Sequence, residues 1–356
     1  MKKILFIITI CLLAIKVSFP QEHYAILISA GDVRNDDDAY HSEYWYDLFL
    51  AYEDLIVNQG YTHDNVFVFY GDGAGDDFDS SYDMYNIDSH GWSGIVDYNN
   101  RYSTMNSEFS NIASTITNQD NLLIRWVCGH GSSTNRDDYY VCIDDEWGST
   151  IETIDEDDLI SMIDQIDTYK RRKIIWMTCH SGCLNSGTQT LNNDKTTIIT
   201  SCDWDEVSYS YCPNCSGGNC GCSDESNVAC ELNWVVTSSL SGTNPLGNSY
   251  DGDHDSDNVI SMEDLFQESS VSSIMSSTAQ LGDNGSLSDK IFICEDLILE
   301  NVNLSTDHEY WTEQITVRNL NIQNNSSVIF EIDEDIEFEK DFQVDLGSTF
   351  EVINNE

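Results

Sequence analysis

Two stretches decide the fold: NLLIRWVCGHGS at residues 121–132 and KIIWMTCHSG at residues 173–182. Asn121–Cys128 and Lys173–Cys179 are short, unbroken apolar runs, the pattern of strands buried on both faces. The first runs into Gly129-His130-Gly131-Ser132 and the second into Thr178-Cys179-His180-Ser181-Gly182. Between them, Asp155–Ile166 has helical periodicity, and Thr153 with Glu156 has the spacing of a capping box that would start the helix. A strand, a crossover helix and a second strand make the two apolar runs parallel neighbours. Chemistry in such a sheet collects at its carboxyl edge, so His130 and Cys179 are expected to face each other there.

The alternation extends in both directions. His23–Ser29, Asn65–Tyr70 and Thr196–Cys202 read as further buried strands, and Tyr44–Asn58 and Ser103–Ile116 as helices. Residues 21–286 are therefore expected to form an α/β domain whose mostly parallel sheet is covered on both faces. After Asp289 the pattern changes to short alternating stretches, Ile291–Ile298, Ile315–Ile322, Val328–Ile332, Ile336–Val344 and Phe350–Ile353, with turns at Asn324-Asn325 and Gly347. Residues 287–356 are expected to be a small all-β module, stacked like the rungs of a β-solenoid and suited to contact with a surface, a glycan or a protein.

Residues 1–20 stand apart. Lys2 and Lys3 precede an apolar run, Ile4–Ile15, broken only by Thr9 and too short to span a bilayer. This reads as a signal peptide cut near Ser18 to Gln21, which directs the chain to a secreted, periplasmic or cell-surface location. No later segment is apolar enough for stable membrane insertion. Lys+Arg number 15 against 63 Asp+Glu, a formal charge of −48. That charge excludes nucleic acid, whose phosphates need clustered cations, and excludes anionic lipid surfaces. It steers metal cations and basic substrates toward the chain. Of the 12 Cys, Cys11 leaves with the signal peptide, and the odd remainder implies an unpaired thiol, for which Cys179 is the candidate. Cys212, Cys215, Cys220, Cys222 and Cys230 crowd a loop over 202–230, where export favours disulfides over a zinc cluster.

A free thiol with a pKa of about 8.5 is mostly protonated at neutral pH, and an adjacent imidazole generates the nucleophilic thiolate. The N–H groups of Gly131 and Cys179 are placed to hold a developing oxyanion. The strand-His-Gly and strand-Cys-x-Ser-Gly pair resembles the caspase-like cysteine peptidases of clan CD, nearest to the legumain family and its bacterial relatives. YAILISAG (24–31), YWYDLFLAYEDL (44–55), NVFVFYGDG (65–73) and ELNWVVTSSLSG (231–242) are similar to that family in order and spacing, over about residues 23–280. The resemblance implies a caspase-like three-layer sandwich and hydrolysis of peptide or protein substrates without an organic cofactor. It also implies an acyl-enzyme on Cys179, with His130 as general acid and base.

Glu43-Tyr44 stands where legumains carry an Arg-His pair, and Met177 where they carry Glu, so their preference for Asn does not carry over. The family's assisting Asn corresponds to Asn35. Two alternatives stay open: an inactive member acting as a surface or adhesion protein, and a transpeptidase or ligase whose acyl-enzyme is intercepted by an amine.

A second constellation is DHDSDNVISMED, residues 253–264. It has EF-hand spacing, with Asp253, Asp255 and Asp257 at positions one, three and five, the Val259 carbonyl at seven, Ser261 at nine and Asp264 at twelve. Asn258 replaces the usual Gly at six and tolerates the left-handed turn required there. A structural Ca2+ is expected, followed by a helix from Glu263 to about Ser277. The acidic runs Asp36-Asp37-Asp38 and Asp72–Asp77 read as solvated loops.

Overall fold

The computed structural model describes residues 22–31, 40–74, 94–144, 149–186, 191, 193–211, 229–283, 287–293 and 296–354. The first twenty residues, Asn35, and Cys212, Cys215, Cys220, Cys222 and Cys294 lie outside the described residues. Through the α/β part the elements run β1 (His23–Ser29), α1 (Tyr40–Val57), β2 (Val66–Phe69), α2 (Tyr102–Ala113), β3 (Asn121–Cys128), β4 (His130–Ser133), β5 (Tyr139–Asp144), β6 (Thr150–Asp155) and α3 (Glu156–Ile163). They continue with β7 (Arg171–Trp176), α4 (Cys183–Ser186), β8 (Thr196–Thr200), β9 (Ser210–Tyr211), β10 (Ala229–Cys230), α5 (Glu231–Ser241), α6 (Met262–Val271) and β11 (Gln280–Asp283).

The central sheet has the order β11-β8-β7-β3-β1-β2. Its strands pair in parallel except for β11, which runs antiparallel to β8 at one edge. Every residue of β3 and β8 is buried, in keeping with their largely apolar and β-branched sequence. Alternate side chains feed two cores. Leu123, Val127, Ile175 and Ile199 pack on one face with Phe49 of α1, Leu232 of α5 and Leu265 of α6. Ile124, Trp126, Ile174, Trp176 and Ile198 pack on the other with Met105 and Phe109 of α2 and Leu159 of α3. Arg125 breaks the apolar run of β3 without facing water. Its Nη2 donates to Asn233 Oδ1 at 2.6 Å and Thr237 Oγ1 at 2.9 Å, fastening α5 to the sheet.

The crossover between β3 and β7 holds more than a helix. It first forms a three-stranded antiparallel sheet, β4-β5-β6, in which His130 is the register partner of Cys142. Thr153, expected to cap α3, lies inside β6 opposite Cys142, and the N-cap is Asp155. The β-branched run of Thr150, Ile151, Thr153 and Ile154 suits a strand better than a helix start. The capping box found forms elsewhere, between Ser261 and Asp264 at the head of α6. The helix over Glu263 to about Ser277 is correspondingly shorter, ending at Val271.

The C-terminal strands are β12 (Asp296–Glu300), β13 (Asn303–Leu304), β14 (His308–Arg318), β15 (Leu320–Ile322), β16 (Ser327–Phe338), β17 (Phe342–Val344) and β18 (Thr349–Asn354). They stack as two parallel ladders, β12-β14-β16-β18 and β13-β15-β17. Leu299, Leu304, Val317, Ile322, Val328 and Phe330 fill the space inside. Asn301 and Asn319 take left-handed turns at φ 59° and 56°, and Asn319 Nδ2 donates to Asn301 Oδ1 at 2.7 Å. Stacked partners are 18 residues apart there and 22 apart at Ser327 and Thr349, so the repeat lengthens along the stack and shows no fixed sequence period.

The expected strand Ile291–Ile298 begins only at Asp296. Ile291 and Ile293 pack with Leu287 into the α/β core, and Phe292 packs into the C-terminal stack. Among the described residues no helix is long and apolar enough to cross a membrane.

Candidate active site

Parallel pairing of β3 with β7 continues to Trp126 opposite Trp176, so both strands deliver their following residues to one edge of the sheet. After β3 the chain passes Gly129, where a Cβ would stand 2.6 Å from Trp126 Nε1 and 2.7 Å from the Ala30 Cβ. Gly131 is tighter still, because a Cβ there would overlap the Cys179 carbonyl oxygen. The two strand ends therefore meet backbone to backbone, and only glycine permits the approach.

Cys179 is half-buried, with Sγ 3.8 Å from the Ser208 carbonyl oxygen. Burial, joined by the neighbouring Cys202, pushes its thiol up, and backbone hydrogen bonds from Ser208, from its own N–H and from Gly131 only partly oppose the rise. The backbone around Cys179 is braced from behind. Trp176 Nε1 donates to Tyr139 OH at 3.0 Å, Tyr139 OH bonds Thr178 Oγ1, and Ser201 Oγ donates to the Thr178 carbonyl at 3.1 Å. His180 is left-handed at φ 60°, and its Nδ1 sits 2.9 Å from the Trp204 carbonyl, so its ring is engaged with the 204–206 loop. Cys183 is a separate buried thiol beside the Asn135 carbonyl and is not bridged to Cys179.

The His130 side chain is 65% exposed, and its Nε2 lies 3.9 Å from Asp144 Oδ2, whose own side chain is 1% exposed. Asp144 ends β5 and is held there by Tyr44 OH, which donates to Oδ2 at 3.2 Å, and Thr150 Oγ1, which donates to Oδ1 at 3.0 Å. Burial pushes the Tyr44 phenol well up, keeping it a donor. Asp144 is absent from the sequence reading because it opens an acidic run that looks like solvated loop. Only its place at the end of a buried alternating stretch, YYVCID, distinguishes it.

Beside His130 lies a third group. Glu43, half-buried at the start of α1, accepts from Ser210 Oγ and stands 3.5 Å from Cys230 Sγ. Burial raises its carboxyl; the hydrogen bonds from Ser210 and Cys230 and the neighbouring His130 oppose the rise. Asp47, one helical turn on, accepts from the Cys230 N–H at 2.9 Å and from Asn233 Nδ2 at 2.6 Å. Cys230, grouped by spacing with the loop cysteines, instead packs against Cys128 at 2.9 Å between sulfurs. Cys128, Cys142, Cys179, Cys183, Cys202 and Cys230 are all unbridged in this structure, so Cys179 is not singled out by elimination.

The acidic loop lies where the α/β part meets the C-terminal stack. Carboxylate oxygens of Asp253, Asp255 and Asp264 lie within 4.8 Å of one another, and Asp255 and Asp257 form a second such group with His308 of β14. Ser256 and Asn258 are left-handed at φ 63° and 68°, and the Ser256, Asp257 and Asn258 N–H groups all donate to Asp253. Burial, then the like charge of neighbouring carboxylates, pushes Asp255 up to about 7 and Asp257 up to about 8. Ser261 is committed as a cap: its hydroxyl donates to Asp264 Oδ2 at 2.6 Å and accepts the Asp264 N–H at 3.1 Å. Val259 packs its side chain into the C-terminal stack, and its N–H donates to Asp257 Oδ1 at 2.9 Å. Asn258 Nδ2 donates to the Glu300 carbonyl at 3.0 Å. The sequence spacing did not reveal His308, which comes from a different element.

No protein-family model matches the chain, and no curated protein matches it.

Proposed function

We propose that this chain is an exported cysteine endopeptidase of the caspase-like, legumain-related type, with Cys179 as nucleophile and His130 as general acid and base. The observation that carries the reading is the convergence of two adjacent parallel strands, with Gly131 pressed against Cys179. The Cys179 thiolate attacks the carbonyl carbon of a bound peptide, and the Gly131 and Cys179 N–H groups take up charge on the carbonyl oxygen. His130 as imidazolium gives its proton to the leaving amine, leaving a thioester on Cys179. It then takes a proton from water, whose oxygen attacks the thioester, expelling the Cys179 thiolate and regenerating the imidazolium. Asp144 Oδ2, 3.9 Å from Nε2, stands on the side of the imidazole where it can hold the ring's orientation. An amine replacing water gives transpeptidation through the same acyl-enzyme.

The site supports a basic residue on the N-terminal side of the cleaved bond. The Ser208 carbonyl touches the Cys179 thiol, and the Ser210 hydroxyl touches Glu43. Two residues of extended chain cover about 7 Å, the reach of a Lys or Arg side chain. Residues 253–264 supply oxygen donors suited to a hard cation, and we assign them a structural Ca2+. The C-terminal stack is read as a β-solenoid. Its exposed Leu346, Val352 and Ile353 support contact with a surface, glycan or protein. The same apolar residues favour the second reading, an inactive caspase-like adhesion protein.

The deciding experiment is turnover of a peptide mixture, varied at the residue before the cut, by the parent and by Cys179→Ala in calcium. Cleavage by the parent alone, strongest after Lys or Arg, is expected. A folded parent with a free Cys179 thiol and no turnover would sink the peptidase reading in favour of the adhesion protein.

A further inference from the structure

We propose that Cys128 and Cys230 form a disulfide that ties the carboxyl end of β3, two residues before His130, to the N-terminus of α5. Both thiols are buried, and their sulfurs are 2.9 Å apart. That is inside the contact distance of two thiols. The positions are set by rigid elements: Cys128 is the last residue of a fully buried central strand, and Cys230 is the N-cap of α5. Asp47 holds the Cys230 N–H, and Asn233 of the same helix donates to Asp47, so the helix start cannot drift from α1.

A metal centre built from the same groups fits less well. Glu43, Asp47, Cys128 and Cys230 do present four ligand atoms within 4.8 Å of one another. Two thiolates on one tetrahedral zinc, at about 2.3 Å each, stand roughly 3.7 Å apart, well beyond the observed separation. Both Asp47 oxygens already accept hydrogen bonds from Cys230 and Asn233. Two thiolates and two carboxylates around a dication would also leave net negative charge in a buried place, whereas a disulfide is neutral.

The bond forms by exchange with a disulfide donor such as oxidised glutathione or a protein disulfide. One cysteine thiolate attacks the donor, giving a mixed disulfide and releasing one donor thiol. The second cysteine displaces the other donor thiol as the Cys128–Cys230 bond closes. The donor's sulfur–sulfur bond breaks, and the two cysteine protons leave on the two donor thiols. Because both sulfurs are buried in the folded chain, exchange takes place during folding, before α5 closes on β3. Once formed, the bond removes the Cys230 S–H from Glu43, which keeps Ser210 as its hydroxyl partner.

The test is refolding of the reduced, denatured whole chain in a glutathione redox buffer, followed by alkylation and digestion without reductant. The expected product is a peptide pair joined through Cys128 and Cys230, about 2 Da lighter than its two thiol peptides and lost on reduction. A variant with Cys212, Cys215, Cys220 and Cys222 changed to Ser, run in parallel, must give the same pair without competition from that segment. Recovery of Cys128 and Cys230 as separately alkylated thiols, or linked to other cysteines, overturns the proposal. So does one equivalent of zinc whose chelation is needed to expose both thiols, because the site is then a metal centre.

Discussion

His130 Nε2 stands 3.9 Å from Asp144 Oδ2, an exposed imidazole set beside a carboxylate that is almost wholly buried. The distance exceeds a hydrogen bond. Tyr44 and Thr150 fix the carboxylate in place. With His130 as the proposed acid and base, Asp144 would be a positioning residue acting through it. Asp144→Asn is expected to lower kcat by about 10- to 100-fold while KM stays within about twofold. Asp144→Glu should restore part of the loss. Equal loss in both variants, or a change confined to KM, would refute the assignment.

Gly131 tests the convergence of the strand ends. A methyl group there overlaps the Cys179 carbonyl oxygen, which Thr178 and its bracing partners hold in place. Gly131→Ala should reduce turnover by at least about 100-fold, the scale of losing one oxyanion donor. Far-ultraviolet circular dichroism should confirm that the sheet persists. Retained turnover would mean that Gly131 does not approach the reacting atoms.

The acidic loop joins two parts of the chain through Asn258 to Glu300 and through Asp255 to His308. Calcium that binds only the folded loop should raise Tm by about 5–10 °C at a concentration 100-fold above its Kd. Chelation should reverse this, and Asp253→Asn should abolish it. A calcium-independent melting curve for the parent would refute a structural calcium site.

If Cys128 and Cys230 are joined, the bond closes a loop of 102 residues. The chain-entropy model then assigns reduction a loss of about 4.7 kcal/mol of stability. Urea unfolding with and without reductant, on the variant lacking the four loop cysteines, measures it. Superimposable curves would contradict the link.

Glu156 gives a pH prediction. Burial first, and then the nearby Asp137, Asp157 and Asp138, push its carboxyl up to about 7 against an opposing backbone bond from Tyr139. A carboxyl raised in the folded state keeps its proton after the unfolded chain has lost one. Stability from this group is therefore fully present below an unfolded pKa of about 4.3 and is lost as pH rises to about 7. Glu156→Gln should raise Tm at pH 8 and leave it nearly unchanged at pH 4. An equal shift at both pH values would trace the effect to packing instead of ionisation.

The sequence by itself determined the five parallel strands of the central sheet, β1, β2, β3, β7 and β8. Largely apolar runs such as Asn121–Cys128 are buried on both faces, and the crossover length makes the next such run a neighbour. It also marked Cys179, Gly131 and His130, because glycine and reactive side chains at strand ends are local signals. It misplaced the cap of α3, since Thr153-to-Glu156 spacing says nothing about the antiparallel partner, Cys142, that draws Thr153 into a strand. Only the tertiary structure decided which distant groups meet: Asp144 with His130, Cys230 with Cys128, and His308 with the acidic loop. None of those residues carries a spacing that distinguishes it, because each partner arrives on a different element. Their contacts exist only after the sheet, the inserted three-stranded β4-β5-β6 sheet and the C-terminal stack have closed around them.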